Sequence, residues 1–187
     1  MNNWRRYFIF YTFLFLLVLI IHLFLYGNAG DDAYIHFRIA RNLLNYGKPY
    51  FNLDERVMSS SSTGWTITLF LLFWVFGVSI KAVACLNAII TTLTVFVYAR
   101  IAQKLTGKNG IIYEIASGLV ILPVTILPSI GLMETSAALL LAGIGLFLYL
   151  RKKSLSFLVL SRLVWVREAH SVPLLYVCWN LSFPATR

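Results

Sequence analysis

The sequence predicts an all-α fold, a polytopic transmembrane helical bundle whose first outer loop carries interfacial helices. Three observations predict it. Of 187 residues, 59% are hydrophobic and 12% charged, whereas soluble domains hold nearer half apolar and a quarter charged residues. Mean hydropathy is +0.78. The charges stand in short clusters between long apolar runs, so the excess of 16 Lys and Arg over 7 Asp and Glu marks cytoplasmic membrane edges. It does not describe the solvated basic face of a nucleic-acid binder.

Taken in order, Tyr7 to Tyr26 form 20 positions without formal charge behind Arg5 and Arg6. That is the length of a span, and it reads as a signal anchor with its amino terminus in the cytoplasm. A secretory signal peptide shares the basic start, but this run exceeds a typical apolar core, and Gly27-Asn28-Ala29-Gly30 is a weak cleavage site. Residues 31–46, DDAYIHFRIARNLLNY, put Ile35, Ile39 and Leu43 at four-residue spacing and stop at Gly47, Lys48 and Pro49. This is an amphipathic helix expected to lie along the outer interface. Trp65 to Phe76 is apolar for 12 residues before Gly77, a length that suits an interfacial segment better than a crossing.

If residues 65–76 do not cross, the remaining spans run at about 81–99, 111–128 and 135–150, and both Arg100 to Lys108 and Arg151-Lys152-Lys153 fall in the cytoplasm. A crossing there would send both basic clusters outside, against the positive-inside rule. The chosen topology is multi-pass in the cell (inner) membrane. It gathers Asp31, Asp32, Asp54, Glu55 and Glu134, five of the seven acidic residues, on the periplasmic or extracellular side. Residues 1–153 form one membrane module, and 154–187 a divergent tail.

The outer loop holds the candidate chemistry. Asp31 or Asp32 can cap the helix it begins. One cap needs one carboxylate, which leaves the other for general-base work on an acceptor hydroxyl, or for a divalent cation shared with its neighbour. Arg38, Arg41, Lys48 and Arg56 can meet anionic lipid headgroups, or one or two of them can grip the phosphate of a lipid-linked substrate. His36, one turn from Asp32, reads as a surface residue. Ser61 and Ser62, within the polar run Ser59 to Thr63, offer hydroxyls to a sugar or a phosphate. Glu134 can simply reach water at the outer end between two spans, although an ionisable group at such a boundary often marks a site. Cys85 and Cys178 lie in apolar stretches without metal-ligand or disulfide spacing.

The stretches DDAYIHFRIARNLLNYGKPYFNLDERV, SSTGWTITL and GLMETSAALLL, in that order, resemble the amino-terminal region of GT-C superfamily polytopic membrane glycosyltransferases. The likeness is to the bacterial type that uses polyprenyl-phosphate sugars, and it covers residues 1 to about 150. It implies a first periplasmic loop bearing the catalytic acids, with Asp31 as base, Asp32 as its partner and Glu134 as the second-loop acid. Arg38 and Arg41 match basic positions of the motif. Ser61-Ser62-Thr63-Gly64-Trp65 departs from relatives that carry a proline there. After Lys153 the likeness fades, as a truncated or frame-shifted gene would make it, and the chain on its own is expected to insert without turning over substrate. The expected function is transfer of a sugar from a polyprenyl-phosphate donor to an outer-face acceptor. Its partners would be that lipid-linked sugar and membrane lipids, with no nucleic acid; no cofactor is required by this reading, and a divalent cation is an option at the Asp pair. The alternative is a non-catalytic small membrane protein or an inactive remnant. A transporter is weakened by the lack of internal repeats or mid-span charges.

Overall fold

A computed structural model describes residues 3–25, 30–55, 60 and 62–151; the tail 154–187, Arg56 and Ser61 lie outside the described residues. Within them the chain is all-helical, without strands, in six helices: α1 (Asn3–Leu25), α2 (Asp31–Tyr46), α3 (Thr63–Phe76), α4 (Ile80–Thr106), α5 (Ile111–Ile130) and α6 (Thr135–Leu150). Two are long and apolar enough to cross a membrane, Trp4–Leu25 and Ile80–Thr106. Thr63–Phe76, Ile111–Leu127 and Thr135–Leu150 are shorter apolar helices. At 1.5 Å per residue, the 14 residues of α3 cover about 21 Å, against a hydrocarbon core of about 30 Å.

Helix α4 is the hub of the bundle, with α1, α5 and α6 packed around it. Its amino terminus is capped by Ser79, whose hydroxyl accepts from the Ala82 amide at 3.3 Å, and it ends at Gly107 in the left-handed region, φ 67°. The sequence expectation ended this helix near residue 99, with Arg100 in a loop. Instead the helix continues two turns further, because Arg100 finds a carboxylate inside the bundle. Glu114, fully buried in the first turn of α5, accepts from the Arg100 guanidinium and the Tyr11 hydroxyl, and from Gln103 Nε2 at 2.9 Å. One carboxylate thus ties α1, α4 and α5 together at the end away from α2.

Two apolar cores result. One joins Leu14 and Val18 of α1 to Ala88 and Val95 of α4. The other joins Ala33, Phe37 and Ala40 of α2 to Trp65, Leu69 and Phe73 of α3, with Val83, Ala84 and Ile90 of α4 and Leu132. Helix α2 therefore buries its inner face against α3, and its stripe does not simply face headgroups. Ile39 is fully buried, while Ile35 and Leu43 are half-buried. An α3 that is apolar on every side offers a partner to any apolar face beside it.

Candidate active site

The amino end of α2 is placed by backbone. The Gly30 amide donates to the Gly131 carbonyl at 3.2 Å, tying the residue before Asp31 to the α5–α6 turn, three residues before Glu134. A side chain at Gly30 would meet Met133 Sδ at 3.7 Å. Leu132 in that turn has φ 57° and is fully buried in the α2–α3 core. A leucine held at positive φ is strained by of order 1–3 kcal/mol, and its burial under α2 offsets that strain. Acids about a hundred positions apart in the chain are joined in this way.

Neither aspartate is the cap considered from the sequence. Gly30 is the N-cap, and no side chain caps the helix. Asp31 and Asp32 instead occupy the exposed first turn, where the helix dipole favours their negative charge. The two diverge around the helix. At 3.6 residues per turn, Asp32 shares a face with His36, and Asp31 shares one with Arg38, Arg41 and Asn45, roughly a quarter-turn or more away.

His36 is the correction of most consequence. It is not a surface residue, being 1% exposed. Its Nδ1 meets Thr66 Oγ1 at 2.9 Å and Ser60 Oγ at 3.3 Å, and its Nε2 faces Glu134 Oε2 at 3.8 Å. Burial holds the imidazole below its ordinary pKa, and the nearby charges of Glu134 and then Asp32 pull the other way without overcoming it. A neutral ring suits this setting: Nδ1 accepts from a hydroxyl, and Nε2–H points at the carboxylate. The signal in the sequence was the four-residue spacing from Asp32, which puts the two on one face.

Glu134 is 26% exposed, yet its Oε2 is buried without a hydrogen-bond partner among the described residues. Ser62 is the N-cap of α3 through its backbone, its carbonyl accepting from the Thr66 amide and hydroxyl, both at 3.1 Å. The hydroxyls that reach the site are thus those of Ser60 and Thr66, which bond each other at 2.8 Å. Ser61 lies outside the described residues.

Arg38 and Arg41 line a separate cleft of about 380 Å³ with Asn42, Asn45, Tyr46 and Leu53. Arg38 stacks on Phe51 at 4.3 Å and donates to Asn52 Oδ1 at 3.2 Å. Buried Asn42 holds the loop by donating to the Tyr50 and Phe51 carbonyls at 2.8 and 3.1 Å. Of the charged groups there, only cations line the cleft, a chemistry that receives an anion. Among the described residues no group of three His, Cys, Asp or Glu side chains stands close enough to hold a metal ion.

Fold and site define an all-helical chain with two helices long and apolar enough to cross a membrane, and with His36 and Glu134 paired near the Asp31–Asp32 turn on a helix whose other face lines a cationic cleft. The chain is similar to a terminal beta-(1->2)-arabinofuranosyltransferase of Mycobacterium tuberculosis, 32% identical over 124 residues. The match covers 63% of this chain and 20% of that protein, so the chain spans about a fifth of the relative it matches. No family model matches the chain. No solved structure matches it.

Proposed function

We propose that this chain forms the amino-terminal part of a membrane glycosyltransferase that moves a sugar from a polyprenyl-phosphate donor to a hydroxyl acceptor at the outer face. The observation that carries the reading is the Gly30–Gly131 bond, which brings the Asp31–Asp32 turn beside the turn of Glu134. The likeness to an arabinofuranosyltransferase supports sugar transfer and makes a pentofuranosyl donor the first to try.

In this reading Asp31 takes the acceptor's hydroxyl proton as that oxygen bonds to the anomeric carbon. The bond from that carbon to the phosphate oxygen breaks, and polyprenyl phosphate leaves. Arg38 and Arg41 lie on the same helix face as Asp31, two and three turns along, and stabilise the departing phosphate. Asp32, His36 and Glu134 form the inner wall, with the buried Glu134 oxygen able to accept from a sugar hydroxyl. Ser62 borders this wall at the α3 entry.

The test uses the chain in nanodiscs with a photoreactive polyprenyl-phosphate pentofuranose. Crosslinking should map to α2 and weaken strongly in Arg38→Ala with Arg41→Ala. Labelling that ignores both arginines and competes equally with a plain polyprenol would favour the non-catalytic membrane protein.

A further inference from the structure

Beneath the site lies a polar network that the proposed chemistry does not use. His22 of α1, Ser129 of α5 and Thr91 and Asn87 of α4 are all fully buried. His22 Nδ1 lies 2.7 Å from the Val18 carbonyl, which can only accept, so Nδ1 carries the proton and Nε2 is the acceptor. The chain of donors then has one direction. The Thr91 hydroxyl donates to Ser129 Oγ at 3.0 Å, and the Ser129 hydroxyl donates to His22 Nε2. The Ser129 carbonyl accepts from Asn87 Nδ2 at 3.2 Å and from the Leu132 amide at 3.0 Å.

Ser129 is therefore held on its side chain and its backbone by α1 and α4, two residues before Gly131. Gly131 receives the Gly30 amide, Leu132 turns at positive φ, and Glu134 follows. A polar network of this depth is costly unless every donor is used.

We infer that His22, Ser129, Thr91 and Asn87 act as a clamp that sets the position of the α5–α6 turn, and so of Glu134, against the amino end of α2. His22 and Ser129 are positioning residues in this account, which rests on the reading of Glu134 as a site residue. The clamp acts through the Ser129 carbonyl and hydroxyl, and no substrate need touch it.

The experiment reads the turn's position directly. In the full chain with Cys85 and Cys178 replaced by Ala, Gly30→Cys is paired with Met133→Cys, since a side chain at Gly30 would lie 3.7 Å from Met133 Sδ, and joining is followed with a short bis-methanethiosulfonate crosslinker. A second pair, Val95→Cys with Gly118→Cys, reports the α4–α5 contact away from the clamp, where a side chain at Gly118 would lie 3.9 Å from Val95 Cγ1. Ser129→Ala should slow joining at 30–133 by about tenfold, as expected when a buried hydrogen bond is broken and its partners are stranded. It should leave the 95–118 pair unchanged. Ser129→Thr, which keeps the hydroxyl, should restore the parent rate, and nitrogen-15 spectra should show His22 protonated on Nδ1. An undiminished 30–133 rate in Ser129→Ala, or an equal fall at both pairs, overturns the clamp. If Ser129→Ala does not insert, Thr91→Val removes a single bond and is scored on the same two pairs. Joining is measured without any sugar transfer, so an inactive or non-catalytic chain would refute the site reading while leaving this result interpretable.

Discussion

Replacing Glu114 by leucine should be among the most damaging single changes at the end of the bundle away from α2. The side chain is fully buried and accepts from three donors on two helices: Tyr11, Arg100 and Gln103. Each neutral donor left without a partner costs about 1–3 kcal/mol. Arg100 is 29% exposed and stacks over Tyr7 and Phe96 at 5.3 and 5.0 Å, so it can shed part of its cost by turning outward. The expected loss for Glu114→Leu is therefore about 3–5 kcal/mol, the range for one partner removed from a buried pair. Adding Arg100→Met should recover only the share of that loss due to the stranded guanidinium, because the Tyr11 and Gln103 donors stay unpaired in the double variant. The assay is a double-mutant cycle on unfolding free energies measured in one detergent. A loss below about 1 kcal/mol for Glu114→Leu, or a double variant as unstable as the sum of the singles, would refute the idea that this carboxylate holds α1, α4 and α5.

Four further outcomes follow from the same structure. Cysteines placed singly at Ser60 and Lys108, in a background without the native pair, should label from outside and only after permeabilisation, respectively; outside labelling of Lys108 would break the topology. Asp31→Asn in an active, longer version of the protein should insert normally and lose roughly 10²- to 10⁴-fold in transfer, and near-normal activity would clear Asp31 as the base. The folded-state pKa of His36 lies below its ordinary value, mainly through burial, so the folded chain takes up its proton later than the unfolded chain as pH falls. Stability tied to His36 is then complete above about pH 6.5 and declines below it; His36→Phe should flatten the unfolding midpoint between pH 7.5 and 5, and an unchanged slope would contradict this. Finally, a β-carbon at Gly143 would sit 2.7 Å from the Tyr98 ring and 3.1 Å from Val97, so Gly143→Ala should cost about 1–3 kcal/mol in the same unfolding assay, and no loss would mean that α6 is free to move off α4.

Much of the element plan was legible along the chain. The 31–46 segment is a helix because apolar residues recur at helical spacing and Gly47 can take the left-handed cap, φ 64°. The apolar runs became α1, α3, α4, α5 and α6, the form in which each segment satisfies its backbone internally. The acids at Asp31, Asp32 and Glu134 were visible as candidates, since ionisable side chains are few in a chain of this composition. What could not be read was rotation. Helices that are apolar on every side, such as α1 and α6, have no preferred face in a hydropathy pattern, so nothing local says which way His22 or Gly143 points. Tertiary contact decided that His36 would be buried between Glu134 and the Ser60–Thr66 hydroxyls, and that Arg100 would stay helical to meet Glu114. Each of those outcomes is a hydrogen bond or ion pair between residues far apart in sequence, and its strength depends on distances of a few ångströms that exist only once the helices have packed.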